Sequence, residues 1–395
     1  MRGQAAGASS GGALTGRIAP PILLAGLPPS ARATAPRSPA SVHARPSDID
    51  DGALSGLSSP WLTRVLRFIA APSASDFDAL ALAVHAYQRE TNGPYRRFVE
   101  RLGVRPCHWT EIPAVPATAF RDSVLACGPA ARVYESSGTT EGRERRARHH
   151  VPDVAVYRAA ALAGFARGAA IAAARRPFVV AAPERRTHPR SSLGEMVTWL
   201  RERYDEGGPP SFLRAEALDL AGLTTALDAL DDGPPVTLLA VTSALLRLVD
   251  HARARGRRWR LPAGSVVVDT GGCKGYGDDL PRAAILDRYE ERFGITRDAV
   301  VNEYGMTELC SQLYARGDDP HRPPPWLRVV VCDPESGRER PPGEPGLLRY
   351  VDLANVGSVV AVQTEDVGRA VDGGIDLLGR ATRAVTRGCS LLVPS

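Results

Sequence analysis

Lysine is almost absent from this chain of 395 residues. Lys274 is the only one, so arginine supplies the rest of the 49 basic residues. A GC-rich genome favours arginine codons, and under that bias a lysine survives most readily where a compact ammonium is needed and a planar guanidinium does not fit. Lys274 is therefore a candidate functional residue, although a lysine retained by chance would give the same composition.

Paired cysteines and metal-binding histidine patterns are missing as well. The 6 cysteines include no Cys-x-x-Cys pair, and the 8 histidines include no His-Glu-x-x-His. These spacings argue against a dense disulfide framework, a structural zinc site and a zinc protease of that motif. We expect a reduced, cytoplasmic protein.

Long apolar runs and aromatic residues are scarce. The longest apolar stretch, 159–174, contains Arg167 and falls short of the ~20 residues that a membrane-spanning helix needs. Aromatic residues make up 6% of the chain, and the net charge of +5 is spread along it, whereas proteins that bind nucleic acid combine a basic patch with stacking rings. We therefore expect no membrane span and no nucleic-acid partner.

The first 55 residues differ in composition from the rest of the chain. They are rich in Ala, Gly, Ser, Pro and Arg, contain no acid before Asp48 and show no apolar periodicity. This composition is typical of disordered segments, and we expect a disordered extension over residues 1–55. An organelle transit peptide has a similar composition and stays open as an alternative.

Beyond the extension, strands and helices alternate along the chain. The runs of β-branched and other apolar residues that predict buried strands are 178–180, 236–241, 266–268 and 299–301. A helix is expected over 76–88, and another is expected to begin at Ser192 with Glu195 completing a capping box. Such alternation predicts a largely parallel sheet covered by helices on both faces.

From about Leu327 the pattern changes to short strands separated by Pro and Gly turns. The predicted strands are 329–331, 347–351 and 359–362. Short, evenly spaced strands of this kind predict a β-rich closing subdomain.

A run of small hydroxyl residues and glycines occupies 134–142, in front of the basic segment 143–150. Glycine lets the backbone approach a ligand closely, so that backbone N–H groups and hydroxyls can bind phosphate oxygens. The candidate phosphate-binding residues are Ser136, Ser137, Gly138, Thr139 and Thr140. The loop is not a Walker A loop, since the chain has no Gly-Lys-Ser/Thr; taken alone, it could equally be a plain surface loop.

A second polar turn, 302–308, follows the predicted strand at 299–301. In open α/β sheets, ligands bind outside the carboxyl ends of such strands. Tyr304 offers a flat face for a base, Thr307 a hydroxyl for a phosphate, and Glu308 an oxygen ligand for Mg²⁺. Alone, this turn is also compatible with an ordinary strand end.

Together and in this order, the two stretches resemble motifs of the adenylate-forming superfamily of acyl-CoA ligases, luciferases and peptide-synthetase adenylation domains. Further stretches narrow the resemblance to the acyl-protein synthetase (LuxE) family; they are 188–196, 269–274, 302–312 and 387–391. The resemblance covers about residues 60–395. It implies an α/β fold in which an adenylate-forming large domain, with parallel sheets covered by helices, carries the β-rich closing subdomain.

The resemblance also implies a domain organisation. An AMP-binding domain would span 56–378, and a hinge with a short C-terminal segment would span 379–395. We expect the small C-terminal domain of the superfamily, which usually brings a catalytic lysine, to be truncated, so that Lys274 would neutralise the α-phosphate. Glu141 departs from the family pattern, because it stands where relatives usually have glycine and would repel phosphates unless it points away or binds a cation.

The cofactors implied by the resemblance are ATP and Mg²⁺. The loop residues 136–140 would hold the ATP phosphates, Tyr304 would lie against the adenine, and Gly305 would be a further nucleotide-binding residue. Thr307 and Glu308 would serve the phosphates and Mg²⁺.

Three residues near the end of the chain also match family positions. Asp366 would accept hydrogen bonds from the ribose hydroxyls, and Arg380, next to the hinge glycine Gly379, would lie near the ribose. Cys389 would act as a thiolate that takes the acyl group as a thioester. A buried, inert cysteine is the alternative for Cys389.

The activity implied by the resemblance is the adenylation of a small-molecule carboxylic acid, of fatty or aromatic character, followed by acyl transfer to a thiol. An acyl-accepting protein, such as a reductase or carrier protein, would be the partner. A phenylacetate-type coenzyme A ligase would need no Cys389, and a nucleotide-binding scaffold would have lost catalysis. Both stay open as alternatives.

Overall fold

The computed structural model describes residues 59–137, 146–215, 217–230, 233–272 and 280–381. All of them belong to one compact unit, Val42–Ser395. The predicted extension over residues 1–55 lies outside the described residues, as do Gly138, Thr139, Thr140, Lys274 and Cys389.

The α-helices of the described residues, in chain order, are α1 (Pro60–Ala70), α2 (Phe77–Thr91), α3 (Gly93–Leu102), α4 (Ala119–Asp122), α5 (Val154–Gly168), α6 (Ser192–Tyr204), α7 (Leu220–Asp228), α8 (Thr242–Ala254) and α9 (Arg282–Phe293). The expected helix over 76–88 is therefore confirmed as α2, one turn longer at its carboxyl end. Its buried residues include Phe77, Leu80, Ala81 and Val84, the i, i+3, i+4, i+7 spacing of one helix face. Within the described ranges, none of these helices has the length and apolar character to cross a membrane.

The start of α6 differs from the prediction by one residue. Ser191, rather than Ser192, is the N-cap, and its hydroxyl accepts a hydrogen bond from the Gly194 N–H at 3.0 Å. Glu195 does not complete a capping box, because its carboxylate forms an ion pair with Arg185 at 3.0 Å and is buried. The predicted capping box is thus wrong, although the helix itself is confirmed.

The strands, in chain order, are β1 (Val115–Pro116), β2 (Arg132–Glu135), β3 (Arg148–Val151), β4 (Phe178–Ala181), β5 (Leu213–Arg214), β6 (Ala217–Leu218), β7 (Thr237–Val241), β8 (Val266–Thr270), β9 (Val300–Tyr304), β10 (Leu313–Arg316), β11 (Leu327–Cys332), β12 (Pro345–Asp352), β13 (Ala361–Val371) and β14 (Gly374–Arg380). Each of the predicted strand runs matches one of these strands to within a few residues, except that β13 extends well beyond the predicted 359–362.

The predicted parallel sheet has the strand order β10-β9-β8-β7-β4. Strands β4, β7, β8 and β9 are parallel, and β10 is antiparallel at the edge. Side chains alternate between the faces: Val266 and Val268 pack with α5 and α6, whereas Val267 packs with α7, α8 and α9. Helices therefore cover both faces, as the sequence predicts.

The closing subdomain is a second sheet with the order β1-β13-β12-β11, and β14 pairs with β13 over residues 366–371, beyond the two residues that pair with β1. Apart from the parallel pair β1–β13, its strands are antiparallel. Strand β13 runs on to Val371 because a tight turn through Gly373, with φ 77°, folds the chain back into β14. The predicted domain boundary at 378/379 falls within β14 and stays a prediction.

Candidate functional site

The carboxyl ends of β7, β8 and β9 lie side by side at one edge of the parallel sheet, at Val241, Thr270 and Tyr304. Polar side chains gather there, as is typical of ligand sites in α/β sheets. The turn after β9 carries Gly305 and Thr307, and the closing sheet brings Asp366 and Arg380 to the same edge.

Asp366 is held by two donors from different parts of the fold. The Tyr304 hydroxyl donates a hydrogen bond to Oδ2 at 2.5 Å, and Arg380 Nε donates to Oδ1 at 2.8 Å. The carboxylate is buried, whereas 68% of the Arg380 side chain is exposed. The structure therefore brings together three residues that the sequence assigned to one nucleotide, the predicted ribose ligand among them.

The Tyr304 ring lies in an aromatic cluster. It stacks on Tyr350 with the ring centroids 6.2 Å apart, and it meets His321 edge-on at 6.3 Å. Burial raises the pKa of the Tyr304 phenol well above its usual range, so the hydroxyl stays a donor to Asp366. The predicted stacking of adenine on Tyr304 stays a prediction.

Glu308 is a buried carboxyl group at the same edge. Burial raises the pKa of Glu308 to about 7, although the guanidiniums of Arg380 and Arg121 act in the opposite direction. A bound cation would favour the ionised form further. Among the described residues there is no cluster of three His, Cys, Asp or Glu that could hold a metal by itself, and Mg²⁺ shared with phosphates needs only one or two protein carboxylates. Glu308 fits that role.

Thr307 is fixed through its backbone by a residue that the sequence did not single out. His149, on β3, donates a hydrogen bond from Nδ1 to the Thr307 carbonyl oxygen at 2.8 Å. Burial lowers the pKa of His149 to about 4, so the ring is neutral, and its Nε2 has no hydrogen-bond partner among the described residues. In the sequence, His149 is only one residue of the basic segment 143–150. Burial keeps its ring uncharged.

Ser136 and Ser137 stand at the mouth of the predicted phosphate loop, which continues outside the described residues. The Ser136 N–H donates to the Ala147 carbonyl at 3.0 Å, and the Ser136 hydroxyl accepts from the Ala147 N–H at 3.1 Å. These bonds extend the pairing of β2 and β3 by one residue, and among the described residues the Ser136 hydroxyl donates no hydrogen bond. Ser137 is exposed.

A buried polar network supports the end of β8, four residues before Lys274. Thr242 donates its hydroxyl proton towards the carbonyls of Thr270 and Gly271, at 3.1 and 3.0 Å. Asp269 is fully buried and forms an ion pair with Arg282 at 2.6 Å. The sequence pointed to this stretch through the motif 269–274 and Lys274, but not to the partners Thr242 and Arg282.

Glu303 explains why residue 305 is a glycine. Its buried carboxyl accepts a hydrogen bond from the Thr270 hydroxyl, and burial raises its pKa to about 7. A Cβ atom at Gly305 would lie 2.6 Å from Glu303 Oε1, closer than nonbonded atoms can approach. Gly305 therefore leaves room for the Glu303 carboxyl, and the residue itself is exposed.

The model of the AMP-binding enzyme family matches residues 211–351, a stretch that includes the turn after β9. Among curated proteins, none matches the chain by sequence.

Several solved structures share the fold. An open conformation of 2-hydroxyisobutyryl-CoA ligase in complex with 2-HIB-AMP and CoA is 20% identical in sequence and has a TM-score of 0.58. The match covers 78% of this chain and 71% of the ligase chain. The same ligase in the thioesterification state, with 2-HIB-AMP and CoA, is 21% identical and has a TM-score of 0.59. That match covers 80% of this chain and 70% of the ligase chain. The chain thus shares the α/β fold of these ligase structures, which confirms the predicted α/β fold with a parallel sheet covered by helices.

Proposed function

We propose that this protein is an ATP-dependent ligase that adenylates a carboxylic acid and passes the acyl group to a thiol. In the first step, a carboxylate oxygen attacks the α-phosphorus of ATP, giving acyl-AMP and pyrophosphate. In the second step, a thiolate attacks the acyl carbonyl carbon, giving a thioester and AMP. Both steps depend on positioning and on stabilising negative charge.

The observation that carries the proposal is the convergence of Tyr304, Asp366 and Arg380 at the carboxyl end of β9. An ionised carboxylate fixed by a phenol and a guanidinium is a rigid acceptor for the two hydroxyls of a ribose. The likeness of the fold to a ligase crystallised with an acyl-AMP and CoA supports the same chemistry.

ATP and Mg²⁺ are the cofactors of this proposal. Ser136, Ser137, Gly138, Thr139 and Thr140 would bind the phosphates, and Glu308 would hold Mg²⁺ together with phosphate oxygens. Lys274 is the proposed cation at the α-phosphate. Mg²⁺ supplies charge neutralisation at the phosphates, while the protein orients the carboxylate and excludes water.

The acyl acceptor distinguishes two versions of the function. In the acyl-protein synthetase version, which the motif at 387–391 supports, Cys389 receives a fatty acyl group and delivers it to a reductase or a carrier protein. In the coenzyme A ligase version, which the fold comparison supports, coenzyme A attacks the adenylate directly. A thiolate is the nucleophile in both.

The test is acid-dependent exchange of labelled pyrophosphate into ATP, screened over short hydroxy acids, aromatic acids and fatty acids. We expect exchange with at least one acid and none without acid. Binding of ATP without exchange for any acid would leave only the nucleotide-binding scaffold. The matched control is an assay without Mg²⁺, in which exchange should stop.

A further inference from the structure

A cavity of about 310 Å³ opens beside the parallel sheet, between the last turn of α5 and the segment that follows β10. Its charged lining consists of Arg167, Arg316, Arg322 and Asp319, and the prolines 323–325 form one wall. Arginine stays protonated at any physiological pH, so the lining carries three positive charges and one negative charge. Its net charge is therefore about +2.

None of the three arginines forms an ion pair with an acid within the described ranges. Arg158 differs from them, because it forms an ion pair with Glu202 at 3.5 Å. It lies on α5, as Arg167 does. Arg167 Nε–H is buried and has no hydrogen-bond partner among the described residues. The three guanidiniums outnumber the single carboxylate of Asp319 in the lining, and an anion would offset the remaining positive charge.

The cavity is held in shape by its surroundings. The Arg167 guanidinium lies 6.0 Å from the centre of the Trp326 ring, and Arg316 Nε donates to the Asp298 carbonyl at 2.7 Å. A Cβ atom at Gly168 would lie 2.4 Å from the Tyr314 ring, so only glycine allows α5 and β10 to approach this closely. Arg167 and Arg316 therefore need little reorganisation to bind a ligand.

The cavity is separate from the candidate nucleotide site. Arg316 pairs with Val301 on β9, three residues before Tyr304, which is about 10 Å along a strand. Arg322 bridges to Tyr314, which pairs with Glu303, so the cavity also reaches the carboxyl half of β9. Tyr314 packs with the core beside α5, whereas Tyr304 packs with the core of the closing sheet, so the cavity and the candidate nucleotide site lie on opposite faces of the sheet.

We propose that the cavity formed by Arg167, Arg316 and Arg322 is a second binding site, specific for a phosphate group. Guanidinium forks match phosphate oxygens in geometry and charge, and a phosphate carries nearly two negative charges at neutral pH. The phosphate is either a free anion, such as pyrophosphate, or part of a larger ligand, such as coenzyme A. Asp319 opposes the anion and keeps the affinity moderate.

The experiment is calorimetric titration of the full chain with inorganic phosphate, pyrophosphate and coenzyme A at low salt. A non-hydrolysable ATP analogue, present at saturation, blocks any nucleotide site. We expect binding of at least one ligand, a loss of affinity of about tenfold or more in Arg167→Gln and in Arg322→Gln, and a gain in Asp319→Asn. Arg158→Gln, which removes the same charge from the same helix, should bind like the wild type.

Stronger binding of coenzyme A than of the free anions would identify a carried phosphate, and the reverse would identify a free anion. Absence of binding in the wild type would overturn the proposal, and so would equal affinity in all the variants. Because Arg322 is exposed, its variant is expected to fold even if that of Arg167 does not. The titration needs no catalysis, so its outcome is independent of the proposed ligase activity.

Discussion

The Tyr304 hydroxyl donates a 2.5 Å hydrogen bond to Asp366 and so joins the end of β9 to β13. The two residues belong to different sheets, and Arg380 completes the arrangement from β14. The carboxylate is thereby fixed at the edge where a ribose would lie.

Replacing Asp366 by Asn should reduce the preference for ATP over 2′,3′-dideoxy-ATP in pyrophosphate exchange. The amide keeps the size of the side chain, but it accepts hydrogen bonds more weakly than a carboxylate. We expect the preference to fall at least about tenfold, equivalent to ~1.4 kcal/mol. Asp376→Asn is the matched control, because Asp376 pairs with Arg369 on the same hairpin at 3.0 Å. An unchanged preference for ATP in Asp366→Asn would contradict the assignment of Asp366 to the ribose hydroxyls.

Replacing Glu308 by Gln should abolish most exchange and stabilise the ligand-free fold at high pH. The pKa of Glu308 in the folded state, about 7, lies above the ordinary 4.5, so the buried carboxyl lowers the stability of the fold as the pH rises. This cost is absent below about pH 4.5 and complete above about pH 7. Gln carries no such cost, so the variant should gain about 3 kcal/mol relative to the wild type at pH 8.

Urea unfolding of both proteins at pH 5 and pH 8 measures this difference. The variant should be much closer to the wild type at pH 5 than at pH 8. A difference that does not grow with pH would show that Glu308 is not held neutral by burial. Wild-type exchange rates in the variant would count against its role at Mg²⁺.

Replacing His149 by Phe should slow exchange at least about tenfold, equivalent to ~1.4 kcal/mol. Phenylalanine can keep the edge contact with Phe120, whose ring centroid is 5.4 Å away, but it cannot donate to the Thr307 carbonyl. The comparison is His150→Phe, the next residue on β3, which should retain activity. Melting curves of both variants separate a loss of positioning from a loss of folding, and equal rates in both would make His149 a packing residue only.

Incubation with MgATP and the acid should place the acyl group on Cys389 as a hydroxylamine-sensitive thioester. An acyl-adenylate is a strong acyl donor, and a thiolate is the best side-chain nucleophile for it. Cys389→Ser should keep acid-dependent exchange and lose the adduct in intact-mass analysis. Acylation of free coenzyme A without any protein adduct would instead favour the coenzyme A ligase.

Much of the fold could be predicted because its strands are buried on both faces. Runs such as Val266–Val268 are apolar throughout, and only a covered sheet uses such runs. The start of α6 was less certain, since Ser191 and Ser192 are adjacent and both suit an N-cap. The prediction used Glu195 to place the N-cap at Ser192, one residue too late. The ion-pair partner of Glu195, Arg185, comes from the preceding loop, so no local sequence pattern reveals the pair.

The sequence suggests candidate site residues one by one, but not how they are arranged. Tyr304, Glu308 and Asp366 matched motifs, whereas their contacts join distant parts of the chain. His149 was hidden because its neutrality depends on burial, which a basic segment does not reveal. The ion pair between Asp269 and Arg282 was missed for a similar reason, since a contact across the end of β8 leaves no local pattern.

The transfer of oxygen from the acid to AMP tests the central claim most directly. With ¹⁸O in the carboxylate of an accepted acid, attack on the α-phosphorus followed by thiol attack on the acyl carbon leaves one ¹⁸O in AMP. Mass spectrometry of the AMP formed in one round of acyl transfer should therefore show a single added label. Unlabelled AMP, or ADP as the product, would contradict adenylation of the acid.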